Sequence, residues 1–221
     1  MLRPDLAAAW ESRLGSALPP EAHALLAGLD GPAAQVLLDA FVPPARPVTR
    51  DRLTGMLTRP VFEEALAHEV ASASRHGAPS LLVADLDGLT AWTEAQGHLA
   101  ADLLVVRLAE ILTRSSRRSD VMGRLGVDQL AVLLPRTEAA RGLVVARRVL
   151  ARALADVRQA ERTRPGSTVA HPSLSIGLGH LPEPGNFNEL LQATESALLR
   201  ARQAGGGVIE CTRPEDLALS A

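Results

Sequence analysis

At 221 residues the chain has room for one full-sized domain with a small appendage, and 47% hydrophobic with 22% charged residues excludes a disordered or membrane-embedded protein. All 23 basic residues are arginines, the net charge is −2 and aromatics are only 2%, so the chain has neither the field nor the stacking surface of a nucleic-acid binder. The single cysteine, Cys211, allows no internal disulfide, and the apolar runs are too short for a signal peptide or a membrane span, which predicts a cytoplasmic protein without direct membrane insertion.

Residues 1–47 are predicted to form a helical extension ending in a stiff linker. Leu6 to Phe41 is rich in alanine and leucine but interrupted by Gly15, Pro19–Pro20 and Gly31–Pro32, which gives three short helices, and Pro43, Pro44 and Pro47 follow. The main domain, 48–213, starts with a helix through Phe62–Ser74 and a buried strand at Leu81–Ala84 that stops at Asp85. Next come a helix from Ala100 to Arg114, a hairpin with arms Val121–Leu125 and Gln129–Leu134, and a helix over Glu138–Asp156. A strand at Leu174–Gly179, a helix at Phe187–Gln203 and a strand at Val208–Cys211 complete it, with Gly205-Gly206-Gly207 as the helix stop and 214–221 as a tail. This order predicts an α+β fold: a mostly antiparallel central sheet covered by helices.

Five segments, each weak alone, stand in a telling order. They are Asp51-Arg-Leu-Thr-Gly-Met-Leu-Thr-Arg59-Pro-Val-Phe62, Asp85-Leu-Asp87 running on to Thr93, Gly97-His98 and Asp102, Arg117-Arg-Ser-Asp120 running on to Arg124-Leu-Gly126-Val127-Asp128-Gln129-Leu130, Ser175-Ile-Gly177, and Ala197-Leu-Leu-Arg-Ala-Arg202-Gln-Ala-Gly205. Together they resemble the diguanylate cyclase (GGDEF) family, whose fold is similar to nucleotide-cyclase palms and whose active members join two GTP molecules into cyclic di-GMP. The resemblance makes Asp85 and Asp128 the metal-binding carboxylates, with Mg²⁺ called for only if GTP binds, because hard divalent ions on carboxylates neutralise phosphate charge. Asp85 and Asp87, two apart on an extended segment, share a face.

The chain departs from the family at its centre. The second signature glycine is Val127, expected at a two-residue hairpin tip that demands positive φ and therefore resists a β-branched residue. The second signature acid is Gln129, which keeps hydrogen-bonding capacity without the charge. Thr90 stands for a lysine, Thr93 for the guanine-contacting asparagine, and Gly206 for an arginine, which leaves Thr93, Asp102 and Arg202 to hold any GTP. Asp85, Asp128 and Gln129 are accordingly read as vestigial, and the domain as a degenerate, catalytically inactive one.

The R-x-x-D motif at which active members bind their own product is kept as Arg117 and Asp120, and Arg148 falls where a second arginine of that site is supplied. Guanidinium forks suit phosphate oxygens and guanine edges, while outside the resemblance an exposed Arg–Asp pair is an ordinary surface feature. The resemblance thus implies a homodimeric signalling protein that binds cyclic di-GMP at Arg117, Asp120 and Arg148 and regulates a protein partner. A weakly active cyclase using Asp85 and Asp128, and a GTP-binding or nucleotide-free scaffold, stay open as alternatives. His98 is expected to be a packed, hydrogen-bonded helix-start residue, and no histidine has metal-ligand spacing.

Overall fold

The computed structural model describes residues 49–163, 170–181, 186–213 and 216. The expected helices of the first 47 residues lie outside that range. Six strands form one sheet in the order β1-β3-β4-β2-β5-β6: β1 Leu57–Thr58, β2 Ser80–Asp87, β3 Val121–Arg124, β4 Gln129–Leu134, β5 Ser173–His180 and β6 Ile209–Cys211. β2 pairs antiparallel with β4 and β5, and β3 with β4, while the outer pairs β1–β3 and β5–β6 are parallel. The mostly antiparallel α+β expectation therefore holds.

The helices are α1 Arg59–Ala71, α2 Ala73–His76, α3 Leu89–Gln96, α4 His98–Ser115, α5 Ala139–Thr163 and α6 Phe187–Gln203. β2 reads as an unbroken apolar run because both of its faces are covered. Leu82 and Ala84 join Val105, Leu108 and Leu112 of α4 and Val145 and Val149 of α5 in one core. Leu81 and Val83 join Phe62 and Leu66 of α1 and Leu190 and Leu198 of α6 in the other.

Two details of this packing position the site. Gly177 on β5 has no room for a side chain, since a Cβ there would lie 2.4 Å from the Thr194 carbonyl oxygen and 2.7 Å from the Leu198 amide nitrogen. Helix α6 therefore crosses β5 at backbone contact, which gives the short Ser175-Ile-Gly177 motif its physical meaning. The same helix starts with a capping box, the Asn186 side chain accepting from the Glu189 amide while Glu189 reaches back to the Asn186 amide. It stops at three glycines with φ of 103°, 75° and 70° at Gly205, Gly206 and Gly207, a left-handed run that returns the chain to the sheet.

Candidate functional site

The acidic strand end lies on the α6 side of the sheet. Asp85 is fully buried. The Arg202 guanidinium, projected from the last turn of α6, donates to its Oδ1 from Nε at 3.1 Å, and a terminal nitrogen forms an ion pair with the same oxygen. The other Asp85 oxygen, Oδ2, is buried without a hydrogen-bond partner. Asp128 is 3.9 Å from the same guanidinium. Burial pushes the Asp85 carboxyl above the usual carboxylate range, the Arg202 hydrogen bond opposes this, and the Asp128 charge adds to it.

Asp87 faces the same side as Asp85 but has another job. Its Oδ2 accepts from the Ser173 hydroxyl at 2.7 Å, the Ser175 hydroxyl at 2.9 Å and the Gly207 amide at 3.2 Å. It is a tie between β2, β5 and the glycine turn, not a second member of an acidic site. A Cβ on Gly206 would come within 2.7 Å of that same oxygen, so the side chain expected there has no place beside Asp87.

The signature hairpin corrects the expectation of a two-residue turn. Leu125 to Asp128 all lie between the strands, and the Leu125 and Gly126 amides both donate to the Gln129 carbonyl, at 2.9 and 3.3 Å. Among the described non-glycine residues only Arg136 has positive φ, so Val127 sits in ordinary backbone, 75% exposed. The longer connection relieves the turn that would have strained a valine. Arg124 clamps it: Nε donates to the Gly126 carbonyl at 2.9 Å, one terminal nitrogen to the Val127 carbonyl at 3.0 Å, and the other to both Asp51 oxygens at 3.1 Å.

Asp51 also accepts from the Thr54 hydroxyl and amide, each at 2.8 Å. Burial works against its charge, but the Thr54 and Arg124 hydrogen bonds prevail and hold its carboxyl below the usual range. A depressed folded-state pKa contributes stability that is fully present above the unfolded value, about 3.9, and is lost as pH falls through the folded value. Asp51→Asn is therefore expected to lower the urea midpoint at pH 7, with the gap to the parent chain closing below about pH 4. A gap that is constant with pH would overturn this.

The Thr93 hydroxyl donates to the Leu89 carbonyl of its own helix at 2.7 Å, while Thr90 and Asp102 are exposed. His98, expected to be packed, is exposed at the first position of α4, because the break at Gly97 turns that helix start toward solvent. The divalent ion implied by the resemblance does not fit the residues present. Oδ1 of Asp85 is held by Arg202, and Gln129 has replaced the neighbouring acid, which takes away oxygens that a hard divalent ion would need.

A second region lies on the other face of the sheet. Where α4 ends against α5, a cavity of about 370 Å³ is walled by Arg114, Arg117, Arg141 and Arg148, with Val144 and Val145 beside them. Arg117 and Arg148, 31 positions apart, thus share one pocket. Asp120 does not line it; its carboxylate accepts from the Arg117 amide at 2.7 Å and so fixes the turn that carries Arg117. Arg148 donates to the Ser115 carbonyl, and Arg152 to the Ser115 hydroxyl at 2.9 Å. Arg114 and Arg141 were missed at the level of sequence. Their signal was spacing, since Arg141 and Arg148 are two helical turns apart on α5 and Arg114 is three residues before Arg117.

The diguanylate cyclase, GGDEF domain family matches residues 48–207. Diguanylate cyclase TpbB of Pseudomonas aeruginosa is 32% identical over 207 residues, covering 92% of this chain and 45% of the relative. The probable diguanylate cyclase DgcC of Escherichia coli is 31% identical over 159 residues, 71% of this chain and 41% of the relative. This chain thus spans less than half the length of these curated relatives. Among solved structures, the GGDEF domain of TpbB from Pseudomonas aeruginosa superimposes with a TM-score of 0.66 at 28% identity, over 77% of this chain and 98% of that one. A microbial GGDEF domain studied for its interaction with cyclic di-GMP superimposes at 0.61 and 27%, over 74% and 98%. No described helix is long and apolar enough to cross a membrane.

Proposed function

This chain belongs to the diguanylate cyclase (GGDEF) domain family, and we propose from that premise that it is a signalling module whose synthase site is disabled and whose arginine cavity binds cyclic di-GMP. The observation that carries the proposal is the cavity itself. Four arginines line it without a single carboxylate among the lining residues, so an anion entering it meets only positive charge. The ligand has two phosphates and two guanines. Guanidinium groups can bond phosphate oxygens in pairs and stack on bases, and exposed Val144 adds apolar surface beside them. Asp120 serves here as a positioning residue for Arg117.

At the other site the losses accumulate: no acid at Gln129, an internal arginine on Asp85, and at Thr93 a hydroxyl whose proton is taken by the Leu89 carbonyl in place of an amide's paired donor and acceptor. Each oriented group missing from a catalytic centre costs about 100- to 1,000-fold in rate. On this reading the module passes the ligand signal to a protein partner, as a homodimer. Calorimetric titration of the full chain with cyclic di-GMP, with GTP plus Mg²⁺ in parallel, tests it. Saturable binding of cyclic di-GMP that weakens with added salt, and no response to GTP, is the expected result. Silence with cyclic di-GMP would overturn the proposal.

A further inference from the structure

Asp85 is buried, which is tolerable only if something positive stands beside it. The metal-loaded form of such a site would supply that charge with a divalent ion. Here Arg202 supplies it: its Nε bonds Asp85 Oδ1, a terminal nitrogen forms an ion pair with the same oxygen, and its guanidinium also lies 3.9 Å from Asp128. We infer that Arg202 is the resident cation of the acidic site, a tethered guanidinium that closes it to divalent ions.

Three features support this. Arg202 is held in place from both ends, since α6 lies in backbone contact on β5 at Gly177 and its last turn is closed by the Gly206 amide on the Ala201 carbonyl at 3.1 Å. Arg202 also faces the site alone, because Asp87 is turned to Ser173, Ser175 and Gly207 and Gln129 is neutral, so among the described residues its guanidinium is the cation within 4 Å of both Asp85 and Asp128. Finally, Asp85 Oδ2 is buried with no hydrogen-bond partner, so removing the guanidinium would leave a buried carboxylate in need of another cation. Hard divalent ions bind through several oxygens, and an arginine bonded to one of the few available must be displaced first. A cation attached to the chain does not dissociate, so raising the metal concentration only competes with it.

The inference rests on the reading of a disabled synthase site and not on cyclic di-GMP binding, and its test involves no nucleotide. Full-length protein is titrated with Mn²⁺ alone, following free Mn²⁺ by its electron paramagnetic resonance signal. The parent chain is expected to leave millimolar Mn²⁺ free, Arg202→Met to bind it, Arg202→Lys to behave as the parent, and Arg202→Met/Asp85→Asn to bind none. Uptake by the parent as strong as by Arg202→Met overturns the inference, as does a folded Arg202→Met that binds no Mn²⁺. If Arg202→Met loses its cooperative melt, the double variant should regain it, because both charges then leave together. A double variant as unfolded as the single one would also overturn the inference.

Discussion

Replacing Arg117 and Arg148 together by alanine is expected to weaken cyclic di-GMP binding by about 100-fold or more in calorimetric titration. A hydrogen bond to a charged partner contributes about 1.5–3 kcal/mol, and the loss of two makes about 3–6 kcal/mol, which corresponds to about 100- to 10,000-fold in affinity. Both arginines are exposed, so the fold should change little. The buried Ser115 carbonyl loses the Arg148 donor, so a melting curve of the double variant accompanies the titration. Arg59→Ala is the matched control, since its guanidinium pairs with Glu63 on α1, on the opposite face of the sheet. Asp120→Ala acts at one remove: the Arg117 amide loses its acceptor, the turn loosens, and affinity falls by less than with loss of the guanidinium itself. Equal affinities for the parent and the double variant would mean that the ligand, if it binds, binds elsewhere.

How far this site could be read beforehand depends on the range of the contacts involved. β2 was legible because a strand buried on both faces is written as a continuous apolar run, although it runs two residues past the expected stop at Asp85, to Asp87, through its pairing with β5. The three glycines that stop α6 are local chemistry and were equally visible in outline. The meeting of Arg117 with Arg148 is not local: it requires α4 and α5 to pack side by side on one face of the sheet, and only the family resemblance placed the two together in advance. Arg114 and Arg141 escaped notice for the same reason. In a chain whose basic residues are all arginines, no composition signal separates a cavity wall from a solvated face.

The misreadings have physical causes as well. Asp85 and Asp87 do share a face, as their spacing requires, yet the serines opposite them on β5 and the amide of Gly207 capture Asp87 alone. Val127 was judged against a turn type that the chain does not use, because the clamp from Arg124 to the Gly126 and Val127 carbonyls holds a longer connection in ordinary backbone. Arg202, expected from its place in the motif to help hold any GTP, lies on Asp85 here. Its direction was set by Gly177, which lets α6 lie close enough to β5 for the guanidinium to reach a buried carboxylate on the neighbouring strand.

Phe62→Ala is expected to cost about 3–5 kcal/mol, the range for emptying a buried aromatic site, which is a large share of the roughly 5–15 kcal/mol that holds a domain folded. Phe62 has 0% of its surface exposed and packs with Leu66, Leu81, Val83, Leu125 and Leu133 between α1 and the sheet. Its ring lies directly on the β3 backbone, where a Cβ on Gly123 would stand 2.5 Å from the ring carbons. Relaxation cannot fill the hole cheaply, because the floor beneath the ring is backbone without a side chain to shift. At about 2–4 °C per kcal/mol for a chain of this size, the melting temperature should fall by roughly 6–20 °C. The damage should also reach the hairpin, since Arg124, the residue after Gly123, ties Asp51 to the turn. Hydrogen exchange separates the two effects: the Leu125 and Gly126 amides, bonded to the Gln129 carbonyl, should lose more protection than amides in the centre of β2. A Phe62→Ala chain within 1 kcal/mol of the parent, with those two amides still protected, would mean that α1 does not anchor β3 and that the hairpin holds its shape through the Asp51–Arg124 tie alone.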